Sequence, residues 1–193
     1  MNTGEAAAVV LGIVNVWLAV KRSVWNFPVA IASVTLIGWL VYQQRLYSDA
    51  LLQMFFVLAN IYGWVNWRRA ATAEMIVPVE RMGGRQIATW IVGCIVAATV
   101  WAWLTDSYTD ATRPWWDAPT FVASIAAQIL MGQRKLENWF FWIVVDLGLI
   151  PLYFVQHLFG LAALYVVYLI LSVWGWLEWH RAWAADRPRS VMA

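Results

Sequence analysis

The chain predicts an all-α membrane protein of seven transmembrane helices, arranged as two parallel three-helix repeats joined by a linker helix. Three observations carry that prediction. The 193 residues are 63% hydrophobic and 12% charged, with 16 Trp, a composition foreign to soluble domains. Apolar stretches recur at about the 20-residue length that crosses a bilayer. Finally, the segment from Trp25 to Ala70 lies over that from Glu137 to Ala182 without a gap, every residue shifted by 112 positions.

The first apolar stretch, 4 to 20, follows Glu5 rather than a basic region, so it reads as a retained helix and not a signal peptide. The second, 26 to 44, carries Pro28, either a first-turn proline or the seed of a bend. The third, 47 to 67, ends just before Arg68 and Arg69. The fourth, 86 to 104, has no counterpart elsewhere and reads as a connection. The segment from Thr105 to Pro119, with Asp106, Asp110 and Asp117, reads as an external turn capping the fifth stretch, 117 to 132. The sixth, 137 to 156, contains Asp146 and then Pro151, placed as a hinge. The seventh runs from 158 to 180. Residues 1–80 then form the first repeat, 81–110 the linker and 111–193 the second repeat.

In the repeat register Asn26 falls on Asn138, Gln44 on Gln156, Leu46 on Leu158, Gly63 on Gly175, Trp64 on Trp176, Trp67 on Trp179 and Arg69 on Arg181. Upstream, Ile13 meets Ile125 and Arg22 meets Arg134, so each unit holds three segments. A single span between the units makes the repeat parallel. Two such bundles can enclose one site and rock about it, which points to a transporter.

When successive loops are given to alternate faces, one face receives Lys21, Arg22, Arg68, Arg69, Arg81, Arg85, Arg134, Lys135, Arg181, Arg187 and Arg189. The other receives Arg45 and Arg113. The positive-inside rule puts the amino terminus outside and the carboxyl terminus in the cytoplasm. The net charge of +2 calls for no nucleic-acid partner. Short loops leave no room for a folded catalytic domain, and the chain has no glycine-rich phosphate loop or metal-spaced His/Cys cluster. No enzyme activity, cofactor or metal is expected. The single Cys94 forms no intramolecular disulfide, and His157 and His180 read as interfacial.

Asp146 stands mid-span, where a charged carboxylate costs roughly 2.5 to 3.5 kcal/mol on insertion scales, so it faces protein or water. Asn138, Trp142 and Asp146 are at i, i+4 and i+8 and form one stripe. That stripe fits either a ligand wall or an interhelical hydrogen bond to a neighbour such as Asn60 or Tyr42. The third span gathers Gln53, Phe56, Asn60, Gly63, Trp64 and Trp67 on one face; its mate offers Tyr165, Tyr168, Ser172, Gly175, Trp176 and Trp179. Amide becomes phenol between 53 and 165, and hydroxyl between 60 and 172, as expected where one asymmetric ligand is gripped from both sides. Trp67 and Trp179 are expected in an interfacial aromatic belt, and Gly63 and Gly175 to permit close helix approach.

The run LYSDALLQMFFVLANIYGWVNW from Leu46 to Trp67, the WNFP at Trp25 to Pro28, and AQILMGQRKLENWFFWIVVD from Ala127 to Asp146 together resemble the PnuC family of vitamin transporters. The match spans essentially the whole chain. It implies a fold like the SWEET sugar transporters, homotrimers, and facilitated diffusion of an unphosphorylated vitamin that a cytoplasmic kinase then traps. The expected cargo is nicotinamide riboside, taken up across a bacterial inner membrane by uniport. Its cationic ring would stack on aromatics while amides bond the ribose, with Gln53, Asn60, Trp142 and Asp146 leading the site. Thiamine or riboflavin are the alternatives within the family. A non-transporting membrane vitamin sensor is the alternative outside it, with the polar stripes only holding helices together.

Overall fold

The structure, a computed structural model, describes residues 3–43, 47–109 and 113–186. Gln44, Arg45, Leu46, Asp110, Arg187 and Arg189, which entered the repeat and charge arguments, lie outside them. The described residues form seven helices: α1 (Thr3–Val20), α2 (Asn26–Gln43), α3 (Tyr47–Ala70), α4 (Gly84–Tyr108), α5 (Pro114–Gly132), α6 (Asn138–Val155) and α7 (Phe159–Ala185). By length and composition α4, α6 and α7 are apolar enough to cross a membrane, and α1 and α2 carry shorter apolar stretches, Ala6–Val20 and Asn26–Leu40. The protein is a helical, multi-pass membrane protein.

The helices reach further than the expected turn from Thr105 to Pro119 allowed. Asp106 sits in the last turns of α4, and Asp117 and Pro119 lie inside α5, because Pro114 at the first position already nucleates that helix. Pro28 falls in the first turn of α2, where its missing N–H costs nothing.

Two helix ends are built alike. After α1, Arg22 takes a left-handed φ of 58°, and after α5 Arg134 takes 60°. In both places the next residue's N–H reaches back over the helix end, Ser23 to the Leu18 carbonyl and Lys135 to the Leu130 carbonyl, each at 3.0 Å. This is the Schellman closure, here made without glycine. The following asparagine then ties the turn to the next helix: Asn26 Nδ2 donates to the Ser23 carbonyl (2.7 Å) and Asn138 Nδ2 to the Lys135 carbonyl (2.6 Å).

A strap, 71–83, a turn at 72–76 followed by an extended run, crosses both helix-end turns at this end of the bundle, the basic end. Its Val77 N–H donates to the Arg22 carbonyl (3.2 Å), and its Glu80 carbonyl accepts from the Leu136 N–H (2.8 Å). Glu80 also pairs with Arg134 and with Lys135 Nζ (2.7 Å), while Glu137 accepts from the Met82 N–H (3.1 Å). Strap residues Val77 and Val79 are buried in one cluster with Val20, Val24, Phe27, Leu136, Trp139, Trp67 and Trp179.

Among the helices, α1–α2–α3 and α5–α6–α7 pack as neighbours in order, α1 meets α7, α3 meets α5, and α4 packs chiefly on α5. Trp67 and Trp179 are fully buried at these two crossings rather than standing in an exposed belt. Trp67 Nε1 donates to the Met131 carbonyl in α5 (2.8 Å), and Trp179 Nε1 to the Ala19 carbonyl in α1 (3.0 Å). Neighbouring arginines suggested an interface, but each indole adds a second donor to a carbonyl at the far helix's end, one that the turn already bonds through the N–H of Arg22 or Arg134. The glycines do allow close approach. A Cβ on Gly63 would run into the Phe27 ring and one on Gly175 into the Trp139 ring, and the Gly63 Cα itself lies 3.3 Å from where a Cβ on Gly132 would sit.

Candidate functional site

Between α1–α3 and α5–α7 lies a chamber of about 460 Å³, inside the range of about 300–1,000 Å³ typical of small-molecule sites. Ala19 and Met131, whose carbonyls take the two indole N–H groups, line it toward the basic end. From α3 come Gln53, Phe56 and Asn60; from α6, Trp139, Trp142 and Asp146; from α7, Tyr165, Tyr168 and Ser172. The sequence reading missed further polar groups on the wall: Asn15, Asn26, Ser33, Ser124, Gln128 and Tyr153. The signal existed for Asn15 and Gln128, since a strong polar group within an apolar span is itself a functional flag.

Asp146 is 3% exposed and accepts a hydrogen bond from Ser172 Oγ at 2.9 Å, so its helix partner is neither Asn60 nor Tyr42. It is at once an interhelical tie and a chamber wall. The ion pairs among the described residues lie at the basic end, and none includes Asp146. Across the chamber, Asn60 Nδ2 is spent on its own helix at the Phe56 carbonyl (2.8 Å), and its Oδ1 accepts from Gln128 Nε2 (3.1 Å). The rings of Tyr153, Tyr165 and Tyr168 follow one another with centroids 5.3 and 5.6 Å apart, an electron-rich wall from one half of the bundle.

Three expected site residues stand elsewhere. Asn138 is buried at the start of α6, where its amide closes the preceding turn, because the stripe it shares with Trp142 and Asp146 begins below the chamber. Trp64 packs against the apolar cluster at the basic end. Tyr42 is 55% exposed and stacks on Trp39, rings 26° apart. Outside the spans, the Lys135 ammonium hydrogen-bonded to Glu80 holds that carboxyl below its ordinary range, with Arg134 adding to it. No group of three His, Cys, Asp or Glu among the described residues is placed to hold a metal ion.

A polar chamber enclosed by two helix groups of an apolar membrane protein defines a class, the small-solute transporters. The family described as nicotinamide mononucleotide transporter matches residues 2–181, and the chain belongs to it. It is 27% identical to the nicotinamide riboside transporter PnuC of Escherichia coli (strain K12), over 91% of this chain and 84% of that protein. It is 30% identical to the riboflavin/roseoflavin transporter RibM of Streptomyces davaonensis, over 94% and 84%. Among solved structures, the crystal structure of the vitamin B3 transporter PnuC superposes with a TM-score of 0.77 at 27% identity, covering 94% of this chain and 82% of that one.

Proposed function

We propose that the protein is a bacterial inner-membrane uniporter for nicotinamide riboside, with uptake made directional by a cytoplasmic kinase that phosphorylates the product. The observation that carries the choice of cargo is Asp146, a buried carboxylate on the chamber wall with Ser172 as its partner and, among the described residues, no cation in an ion pair with it. Such a charge is costly until a counter-charge arrives. A pyridinium ring supplies one, and the tyrosine faces favour the same cation. Riboflavin's neutral ring system would leave the carboxylate unpaired, although a riboflavin transporter is among the relatives. Thiamine, also a cationic aromatic, is the second reading on the same observation.

The architecture we infer is 3+1+3, with parallel repeats in 1–80 and 111–193 around the linker 81–110. It is supported by α2 and α6 starting at Asn26 and Asn138 and by the mirrored indole bonds of Trp67 and Trp179. All seven helices cross the bilayer, with the basic end in the cytoplasm and the amino terminus outside. The apolar outer side of α4 would then meet lipid or neighbouring copies in a homotrimer.

Counterflow in proteoliposomes containing this protein alone tests the function. Labelled nicotinamide riboside should exchange against itself, less well against thiamine and not against riboflavin. Saturation by thiamine alone refutes the cargo, and binding without counterflow refutes transport in favour of a sensor.

A further inference from the structure

Four large rings repeat at the basic end, and three of them have settled chemistry. Trp67 and Trp179 each donate their indole N–H to a helix-end carbonyl. Phe27 lies against Gly63 with no polar atom to satisfy. Its counterpart Trp139 lies against Gly175 in the same way, yet carries an N–H. Trp139 is 1% exposed, and its Nε1 has no hydrogen-bond partner among the described residues. A buried donor left unmatched is destabilising, and native proteins rarely keep one without use. Phe27 shows that the packing role needs only a ring. Trp139 also lines the chamber beside Trp142 and Asp146.

We propose that Trp139 Nε1 donates a hydrogen bond to an oxygen of the bound solute, a carboxamide or the 2′- or 3′-hydroxyl of its sugar, and so discriminates among cations that Asp146 alone would accept. The inference rests on the reading of the chamber as a solute site. Within that reading, Asp146 answers the charge of the ring and Trp139 answers an acceptor at a fixed place beside it. A hydrophobic pocket rejects a missing polar group weakly, whereas a buried donor left unpaired rejects it strongly.

The test is calorimetric titration of wild type and Trp139→Phe with nicotinamide riboside, the riboside of unsubstituted pyridine, and the 2′- and 3′-deoxyribosides of nicotinamide. Trp139→Phe should lose about tenfold in affinity for nicotinamide riboside. One of the three analogues, the one lacking the partner oxygen, should bind both proteins equally. Unchanged affinity for nicotinamide riboside, or the same loss for every ligand, overturns the proposal. Should phenylalanine at 139 unfold the protein, benzothienylalanine at that position keeps the bicyclic shape and drops only the N–H. If wild type binds none of these ribosides, the cargo reading fails first and this inference with it.

Discussion

The basic end of the bundle and the chamber above it are built from residues 112 positions apart, but they treat that correspondence in opposite ways. At the basic end the pairs keep their chemistry: Arg22 and Arg134 both take left-handed backbone, Asn26 and Asn138 make the same turn bond, and Trp67 and Trp179 cap opposite helices. Around the chamber the pairs part: Gln53 corresponds to Tyr165, Phe56 to Tyr168, Asn60 to Ser172, and Asp146 to Val34. A closure between two similar bundles can be satisfied by the same bond made twice. A solute with a charged ring at one side and hydroxyls at the other cannot.

The two crossings sharpen that contrast. Between α3 and α5, Asn60–Gln128, Asn66 Nδ2 to the Gly132 carbonyl (2.6 Å) and Arg134 to Asn66 (3.3 Å) accompany the indole bond. The matching positions between α7 and α1 are differently engaged. Val16 is apolar, Ser172 turns to Asp146, Glu178 accepts from Trp174 and Arg181 in its own helix, and Arg22 reaches the strap at the Val77 carbonyl (3.3 Å). The α1–α7 crossing therefore leans more heavily on its tryptophan.

The largest effect follows from that. Trp179→Ala removes a fully buried ring together with its bond to the Ala19 carbonyl, which keeps only the turn bond from Arg22, and should cost about 3–5 kcal/mol in thermal or denaturant unfolding of the purified protein. Trp67→Ala should cost less, because its crossing keeps the amide bonds. Equal small losses for both would restore the interfacial-belt reading and break the comparison.

Next in size is Gly175→Ala. Its Cβ would lie 2.5 Å from the Trp139 ring, too close to be absorbed without displacing α6 from α7. Overpacking of this kind costs roughly 1–3 kcal/mol. Gly160→Ala in the same helix meets nothing within 4 Å and should leave the melting temperature level or slightly raised. A Gly175→Ala protein as stable as Gly160→Ala would show that the ring contact is not tight.

The smallest effect belongs to the strap. The folded Glu80 carboxyl titrates below its ordinary value of 4.5, so its contribution is present above that value and is lost as pH falls through the folded one. Glu80 is 44% exposed, and such pairs contribute about 0–1 kcal/mol. Wild type and Glu80→Gln should differ slightly in melting temperature at pH 6, and the difference should shrink as the pH is lowered past 4.5. A difference that grows on acidification would contradict the pairing.

The helices were legible because composition and span length fix them: the second stretch was expected from 26 and the sixth from 137, and α2 and α6 start at Asn26 and Asn138. That Gln53, Phe56, Asn60, Trp142, Asp146, Tyr168 and Ser172 line one chamber was also legible, since polar and aromatic groups at helical spacing mark one face. Periodicity says which residues share a face, not how far along it the cavity reaches. That is why Asn138 and Trp64, on the right stripes, fell at the closed end, and why Tyr42 fell outside. The burial of Trp67 and Trp179 was hidden because their arginine neighbours point the same way in an interfacial belt as at a helix end packed on another helix.

The central claim is that the Asp146 carboxylate balances a cationic ring. Asp146→Asn keeps the shape and a hydrogen-bonding group for Ser172 and removes only the charge. Calorimetric titration of wild type and Asp146→Asn with nicotinamide riboside and with its uncharged dihydro form measures the claim directly. The account predicts a loss of about ten- to a hundredfold for the cation, on the order of 1–3 kcal/mol, with little change for the neutral form. Equal losses for the two ligands would contradict it and leave Asp146 as a tie between α6 and α7.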